Sequence, residues 1–487
     1  MSDVTFIMSH ENLRVNPRVV RAVILLDYSN TIHLSPRKET LFPMKPRIDS
    51  IVFNFSNASK WMFVFAAALL GACSSLPKEA APLAQACPAG LPEGVRCLRG
   101  QDSAGAHYLI AMPAKWSGVL VVHTHGGPSL GEPKATRADE DAKRWAITVA
   151  LGHAWAGSVF RQGGFAETTA AEDTERVRRI FVDHVASPKR TLLHGQSWGA
   201  MVATSAAEMF PKSWDGMLLT SGVVAGPATY DFRLDLRAIY QHLCNNHPRP
   251  NEPQYPLAIG LPVGSTLTNA DLNARADDCL GLRKSAAQRT PDQVQKLRAI
   301  VDVLKIPESS VMSHLNWGTF TLQDVVIKNG GVSPFFNEGV RYSGSSNDAA
   351  LNAAVQRFKA APQAVARFAA DVDHSGRFAV PVISAHGIGD ATVFVEGQDT
   401  LRQRMQAAGN GTRLVQAFVD SSEHSYWGDA MYPPLFEALL RWVDAGEKPT
   451  PASTAKRCAE QQPAISKDCR FVVDYVPKPL ASRIVPR

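Results

Sequence analysis

Three residues of this chain have side chains that together can break an acyl bond. Ser197 lies in Gly195-Gln196-Ser197-Trp198-Gly199, Asp390 in SAHGIGDATV, and His424 in DSSEHSYWGD. A serine hydroxyl is a weak nucleophile until a base removes its proton, and a histidine oriented by a carboxylate is suited to that task. The serine pentapeptide sits between a strand-forming run, TLLHGQS, and a helix-forming run, WGAMVATSAAEMF. A sharp strand-to-helix turn there would hold the serine in a strained conformation that lifts its Oγ clear, with glycines where strand and helix approach closely. The helix N-terminus beneath it offers free N–H groups and a positive partial charge to developing negative charge.

The pentapeptide alone says little, since about one random chain of this length in seven would contain it. Position adds the rest. Asp390 and His424 each fall just past an apolar, strand-like run, AVPVISAHG and TRLVQAFVD, so all three residues are expected at the same ends of their strands. Asp420 and Glu423 are the rival carboxylates, near His424 in sequence but badly placed to reach its Nδ1. Among the other histidines, His247 and His374 are expected to be surface or structural. An acyl-transfer site also needs donors for the oxyanion. The backbone N–H of Trp198 and that of Gly126 or Gly127, in the HTHGGPS loop after another apolar run, are expected to supply them.

The elements that must position these groups alternate. HYLIAMP, GVLVVHTHGG and AWAGSVFRQGG read as strands; AETTAAEDTERVRRIFVDHV has Val177, Ile180, Phe181 and Val185 at helical spacing. The pattern resumes near the C-terminus with VEGQDTLRQRMQAAG as a helix and PPLFEALLRWVDAG as a closing one. Strands alternating with helices predict an α/β fold, a mostly parallel central sheet with helices on both faces. Between residues 225 and 375 the rhythm breaks into proline-rich and helical stretches, read as a lid inserted over the sheet's C-terminal edge. The expected divisions are residues 1–72, an upstream extension and signal peptide; 73–100, a tether; 101–224 and 376–447, the two parts of the core; 225–375, the lid; and 448–487, a C-terminal extension with a cysteine pair.

At 487 residues and 45% hydrophobic, the chain can bury a large core. The run KWMFVFAAALLGACSSL reads as a secretory signal, its apolar part, Trp61 to Ala72, being too short to cross a bilayer, which takes about 20 residues. A start near Met44, with Lys45, Arg47 and Lys60 as the positive region, would give that signal its usual length. Leu70-Gly71-Ala72-Cys73 resembles the lipobox of bacterial lipoproteins, which implies acylation of Cys73 and anchoring to a membrane through lipid only. Residues 1–72 hold 8 Lys+Arg and 5 Asp+Glu of the chain's 51 and 45, leaving 43 against 40, a balance that argues against a nucleic-acid partner. The six other cysteines, Cys87, Cys97, Cys244, Cys279, Cys458 and Cys469, fall into three sequence-local pairs, although fifteen connectivities are possible. Disulfides persist in oxidising compartments, so the expected location is outside the cytoplasm, facing the periplasm or secreted. No C-x-x-C or H-E-x-x-H spacing is present, so no metal is expected.

Residues about 105–225 and 378–446 resemble the α/β-hydrolase fold. His125-Gly126-Gly127-Pro128 with Gly195-Gln196-Ser197-Trp198-Gly199 is similar to the prolyl aminopeptidase branch, and the chain also resembles secreted bacterial esterases. The resemblance implies a serine hydrolase without cofactor, with Ser197 as nucleophile, His424 as base and Asp390 as orienting acid. Its substrate would be a small carboxylic ester. Alternatively it would be a short peptide, for which Asp231, Asp235, Glu252, Asp277 and Asp278 are available to hold a free amino group. A third reading is a lipoprotein that kept the fold without catalysis.

Overall fold

Val119–Thr124 and Gly216–Thr220 are buried along their whole length, as expected of strands covered on both faces. Alternate residues feed two cores. Leu120, Val122, Leu193 and Met217 pack on one side of the sheet, Val121, Leu192, Leu218 and Ile383 on the other. Each such side chain contributes about 1.5–3 kcal/mol on burial, so the apolar runs themselves hold the sheet in place.

The protein is described by a computed structural model covering residues 78–461 and 463–487, with an antiparallel strand pair, Ile24–Leu26 and Ile32–Leu34, in a separate unit spanning Met1–Ser75. The apolar run Trp61–Ala72 and Cys73 lie outside the described residues. The fold is α/β, built on a ten-stranded sheet. Its strands are β1 (Leu83–Gln85), β2 (Arg96–Gln101), β3 (His107–Met112), β4 (Val119–Thr124), β5 (Ala154–Ser158), β6 (Arg190–Gln196), β7 (Gly216–Thr220), β8 (Val382–Gly387), β9 (Leu414–Val419) and β10 (Phe471–Val472), in the spatial order β10-β9-β8-β7-β6-β4-β5-β3-β2-β1. The six strands from β9 to β5 run parallel; β1, β2, β3 and β10 are antiparallel additions at the edges.

The tether expected at 73–100 needs correcting. From Leu83 onward it belongs to the sheet, β1 pairing with β2 and β2 with β3, and Cys87 is bonded to Cys97. Its Pro- and Ala-rich composition hides a strand pair that β3, outside the segment, joins to the sheet, because strand formation depends on the neighbour more than on intrinsic preference.

Helices α1 (Arg137–Arg144) and α2 (Ala146–Ala150) follow β4, α3 (Glu167–His184) follows β5, and α4 (Gly199–Met209) follows β6. Between β7 and β8 the chain forms α5 (Ala228–Cys244), α6 (Asn269–Leu280), α7 (Pro291–Leu304), α8 (Glu308–Asn316), a π-helical turn (Trp317–Thr321), α9 (Leu322–Lys328), α10 (Asp348–Ala354) and α11 (Pro362–Val372). This segment has its own apolar core, in which Leu236, Ile239, Leu272, Leu297, Ile300 and Leu315 are buried together. A disulfide between Cys244 and Cys279 joins α5 to α6. α12 (Gly397–Ala407) lies between β8 and β9, and α13 (Tyr432–Ala445) and α14 (Pro451–Ala459) follow β9. The third disulfide, Cys458–Cys469, ties the end of α14 to the chain leading into β10. Among the described residues, no helix is long and apolar enough to cross a membrane.

Candidate active site

Parallel strands end on one side of a sheet, so the turns after β4, β6, β8 and β9 gather at one edge. Ser197 occupies the turn from β6 into α4 with φ +56°, a left-handed conformation that costs a non-glycine residue of order 1–3 kcal/mol. Three backbone bonds hold it there: its N–H donates to Thr220 O (3.0 Å), and its carbonyl accepts from Val223 N (2.9 Å) and Ala200 N (3.0 Å). The flanking glycines are required by contact. A Cβ on Gly199 would lie 2.0 Å from Thr124 O, and one on Gly195 would lie 2.7 Å from Gly199 O.

Ser197 Oγ lies 2.7 Å from His424 Nε2, and His424 Nδ1 lies 2.7 Å from Asp390 Oδ2. The other carboxylate oxygen of Asp390 accepts from the amides of Thr392 (2.8 Å) and Val393 (3.0 Å). Its side chain is 0% exposed and that of His424 19%. Oriented this way, the imidazole can take the serine proton while the carboxylate faces the resulting cation. Neither Asp420 nor Glu423 hydrogen-bonds to His424 through its side chain among the described residues. A further buried histidine, His386, lies 3.5 Å from Asp390 Oδ2, but its Nε2 is engaged with Val393 O and burial holds its pKa below the usual value.

The expected oxyanion donors flank the same serine. Among the described residues, the amides of Gly126, Gly127 and Trp198 donate to no protein acceptor. Gly126 packs so closely on the nucleophile turn that a Cβ there would meet Gln196 Oε1 at 2.1 Å and Ser197 Cβ at 3.1 Å. Gly127 has φ +72°, which glycine adopts without strain. Arg137 steadies this loop, Nη2 donating to Gly126 O (2.8 Å) while Nε lies 3.3 Å from Asp141. Neighbouring His125 is stacked on Phe160, and burial lowers its pKa to about 4. Behind the turn, Trp198 Nε1 donates to Glu167 Oε1 (2.7 Å). Burial and the Asp371 carboxylate push Glu167 well above the usual carboxylate range.

Ser197 and His424 open into a cleft of about 200 Å³ whose walls include Gly126, Gly127 and Arg144 on the core side and Tyr230, Arg233 and Trp317 from the helical insertion. A second cleft, about 220 Å³, lies against His125, Pro128 and Trp198 but reaches neither Ser197 nor His424. The acidic residues available to hold an amino group line neither. Asp235 binds Tyr342 and Arg487, Glu252 binds Arg275, and Asp231 faces Arg487. His247 and His374 are buried structural groups, against Thr319 Oγ1 and Val224 O. Arg137, Arg144 and Arg233 were not marked out by the sequence. Arg137 and Arg144 lie on a charge-rich helix that reads as solvated, and nothing in the spacing of α5 shows which of its residues face the cleft.

No protein-family model and no curated protein matches the chain. Solved structures with a similar course include feruloyl esterase B from Aspergillus oryzae (TM-score 0.40, 12% identity, covering 76% of this chain and 88% of that one). Others are the rice cell wall degrading esterase LipA from Xanthomonas oryzae (0.37, 13%, 73% and 90%) and a hormone-sensitive lipase from a metagenome library (0.35, 10%, 67% and 76%).

Proposed function

We propose that the protein is a serine hydrolase of small carboxylic esters. The observation that carries this reading is the unbroken relay from Ser197 Oγ through His424 to Asp390, each link 2.7 Å, beside Gly126, Gly127 and Trp198, whose amides have no protein acceptor among the described residues. In the proposed reaction Ser197 Oγ attacks the ester carbonyl carbon as His424 Nε2 takes the hydroxyl proton. The carbonyl π pair moves onto oxygen, where the amides of Trp198 and Gly126 or Gly127 receive it. Collapse breaks the bond to the alkoxy group, which leaves with the proton from His424. Water, deprotonated by the same imidazole, then attacks the acyl-enzyme and releases the acid and Ser197. Asp390 holds the imidazole's tautomer and faces the imidazolium.

An aminopeptidase would need carboxylates to receive a substrate ammonium, and the cleft walls contain none. The ester reading is preferred on that ground. An inactive protein would have no need to hold Ser197 at φ +56°. The test compares short-chain 4-nitrophenyl esters with Pro- and Ala-arylamides and asks whether a fluorophosphonate labels Ser197. Arylamide turnover well above ester turnover reverses the ranking, and failure to label ends the proposal. Export belongs to the same reading, supported by the three disulfides. Lipid anchoring at Cys73 is checked by mass spectrometry of the mature N-terminus.

A further inference from the structure

Arg233 is 2% exposed, yet it lines the Ser197 cleft. Its Nη1 donates to Thr229 O (3.0 Å), its Nε has no hydrogen-bond partner, and among the described residues no carboxylate lies within ion-pair distance. The guanidinium is instead enclosed by rings, its Cζ 4.8 Å from Trp317, 4.9 Å from Phe232 and 5.0 Å from Tyr230. Aromatic faces return about 0.5–2 kcal/mol each, less than the several kcal/mol that removing an ion from water costs. Burial lowers its pKa only to about 10, so it stays charged at neutral pH.

Four residues along α5, Arg237 is also buried, with no carboxylate within ion-pair distance among the described residues, but it spends its charge on the fold. Its Nη1 donates to Gly260 O, Gly318 O and Thr319 Oγ1, joining three segments of the insertion, and it is not part of the cleft wall. Arg233 makes no such cross-link. On the core side, half-buried Arg144 lines the same cleft, again with no ion pair among the described residues. Two cations and no acidic wall residue in one low-dielectric recess focus a positive potential onto the scissile bond's surroundings.

From this arrangement we infer that the substrate is a short ester bearing a second, ionised carboxylate, and that Arg233 is the specificity-determining residue that receives it. The inference rests on the ester-hydrolase reading and adds the charge of the substrate to it. A guanidinium fork suits a carboxylate, and a cleft of about 200 Å³, below the roughly 300–1,000 Å³ usual for drug-sized ligands, suits a half-ester of a small dicarboxylic acid.

The test compares kcat/KM of the intact mature protein on two matched pairs. Mono-4-nitrophenyl glutarate against 4-nitrophenyl valerate puts the charge on the acyl side; 4-acetoxybenzoate against phenyl acetate puts it on the leaving group. In at least one pair the anionic ester is expected to be preferred about 10- to 100-fold, the range of a hydrogen bond to a charged group. That ratio should collapse towards one in Arg233→Met and return in part in Arg233→Lys. Neutral esters preferred in both pairs, or a ratio unchanged in Arg233→Met, overturns the inference while leaving the hydrolase intact. No turnover of any ester and no fluorophosphonate label overturns the underlying reading as well. Should Arg233→Met not fold, the wild type decides: glutarate should inhibit hydrolysis of the neutral ester competitively and more weakly as salt rises, whereas glutaramide should not. Equal inhibition by both, or by neither, sinks the idea.

Discussion

Ser197 and His424, 227 residues apart in the chain, meet with hydroxyl oxygen and imidazole nitrogen 2.7 Å apart. Replacing Ser197 by Ala should lower kcat by about 10⁶, the scale seen when a triad serine is removed, and abolish fluorophosphonate labelling. The same position stores strain, with φ +56°. Ser197→Gly should therefore be more stable than Ser197→Ala by about 1 kcal/mol, the cost of a left-handed non-glycine residue, as read from urea midpoints.

Asp390→Asn meets a conflict of donors. One carboxylate oxygen accepts from two backbone amides and the other from His424 Nδ1, so an NH2 must face either N–H groups or the imidazole. Facing the imidazole, it forces the proton onto Nε2 and removes the base. The expected fall in kcat is about 10⁴, in a protein whose circular dichroism is unchanged.

Arg137 touches the candidate oxyanion loop through Gly126 O and lies outside the Ser197 cleft wall. Arg137→Met should loosen that loop and lower kcat about 10- to 100-fold, less than outright loss of a donor, with KM changed little. A comparable change in KM with kcat preserved would show that the contact serves binding alone.

Glu167 offers a contrast between charge and shape. Its raised pKa in the folded state means that stability is lost as pH rises above the unfolded value of about 4.5. Glu167→Gln keeps the acceptor for Trp198 Nε1 and does not titrate, so at pH 8 it should be at least as stable as wild type. Glu167→Ala leaves the indole N–H unsatisfied beside a cavity and should cost about 2–4 kcal/mol by urea denaturation.

Buried histidines act in the acid range. Burial lowers the pKa of His125, His153 and His374 to about 4, of His194 and His314 to about 3 and of His247 to about 2, and holds His123 well below the usual value. Between their unfolded value near 6.5 and these folded values the unfolded chain binds more protons, so stability falls as pH falls, each group adding a slope of up to about 1.4 kcal/mol per pH unit. The melting temperature should drop steeply from pH 6 to 4. A profile flat across that interval would mean that these imidazoles are hydrated in the folded protein.

Ser197, Asp390 and His424 were legible because each follows an apolar strand run on the same side of a parallel sheet, and chain order alone places such turns together. Gly126 and Trp198 were legible for the same reason. Arg233 was not, since α5 carries two buried arginines at one helical spacing and packing against Trp317 and Gly318 decides which meets the cleft. Nor were β1 and β2, a pair joined to the sheet through β3, which supplies the apolar run that their own composition lacks.

The three disulfides divide the labour of the molecule. One closes the N-terminal edge, one the helical insertion and one the C-terminal edge, and none joins the segments bearing Ser197, Asp390 and His424. Reductive damage would thus slacken the periphery first. Because the insertion carries Arg233 on a helix stapled at its far end, choice among substrates would fade before turnover does, and an ageing molecule would become indiscriminate rather than dead.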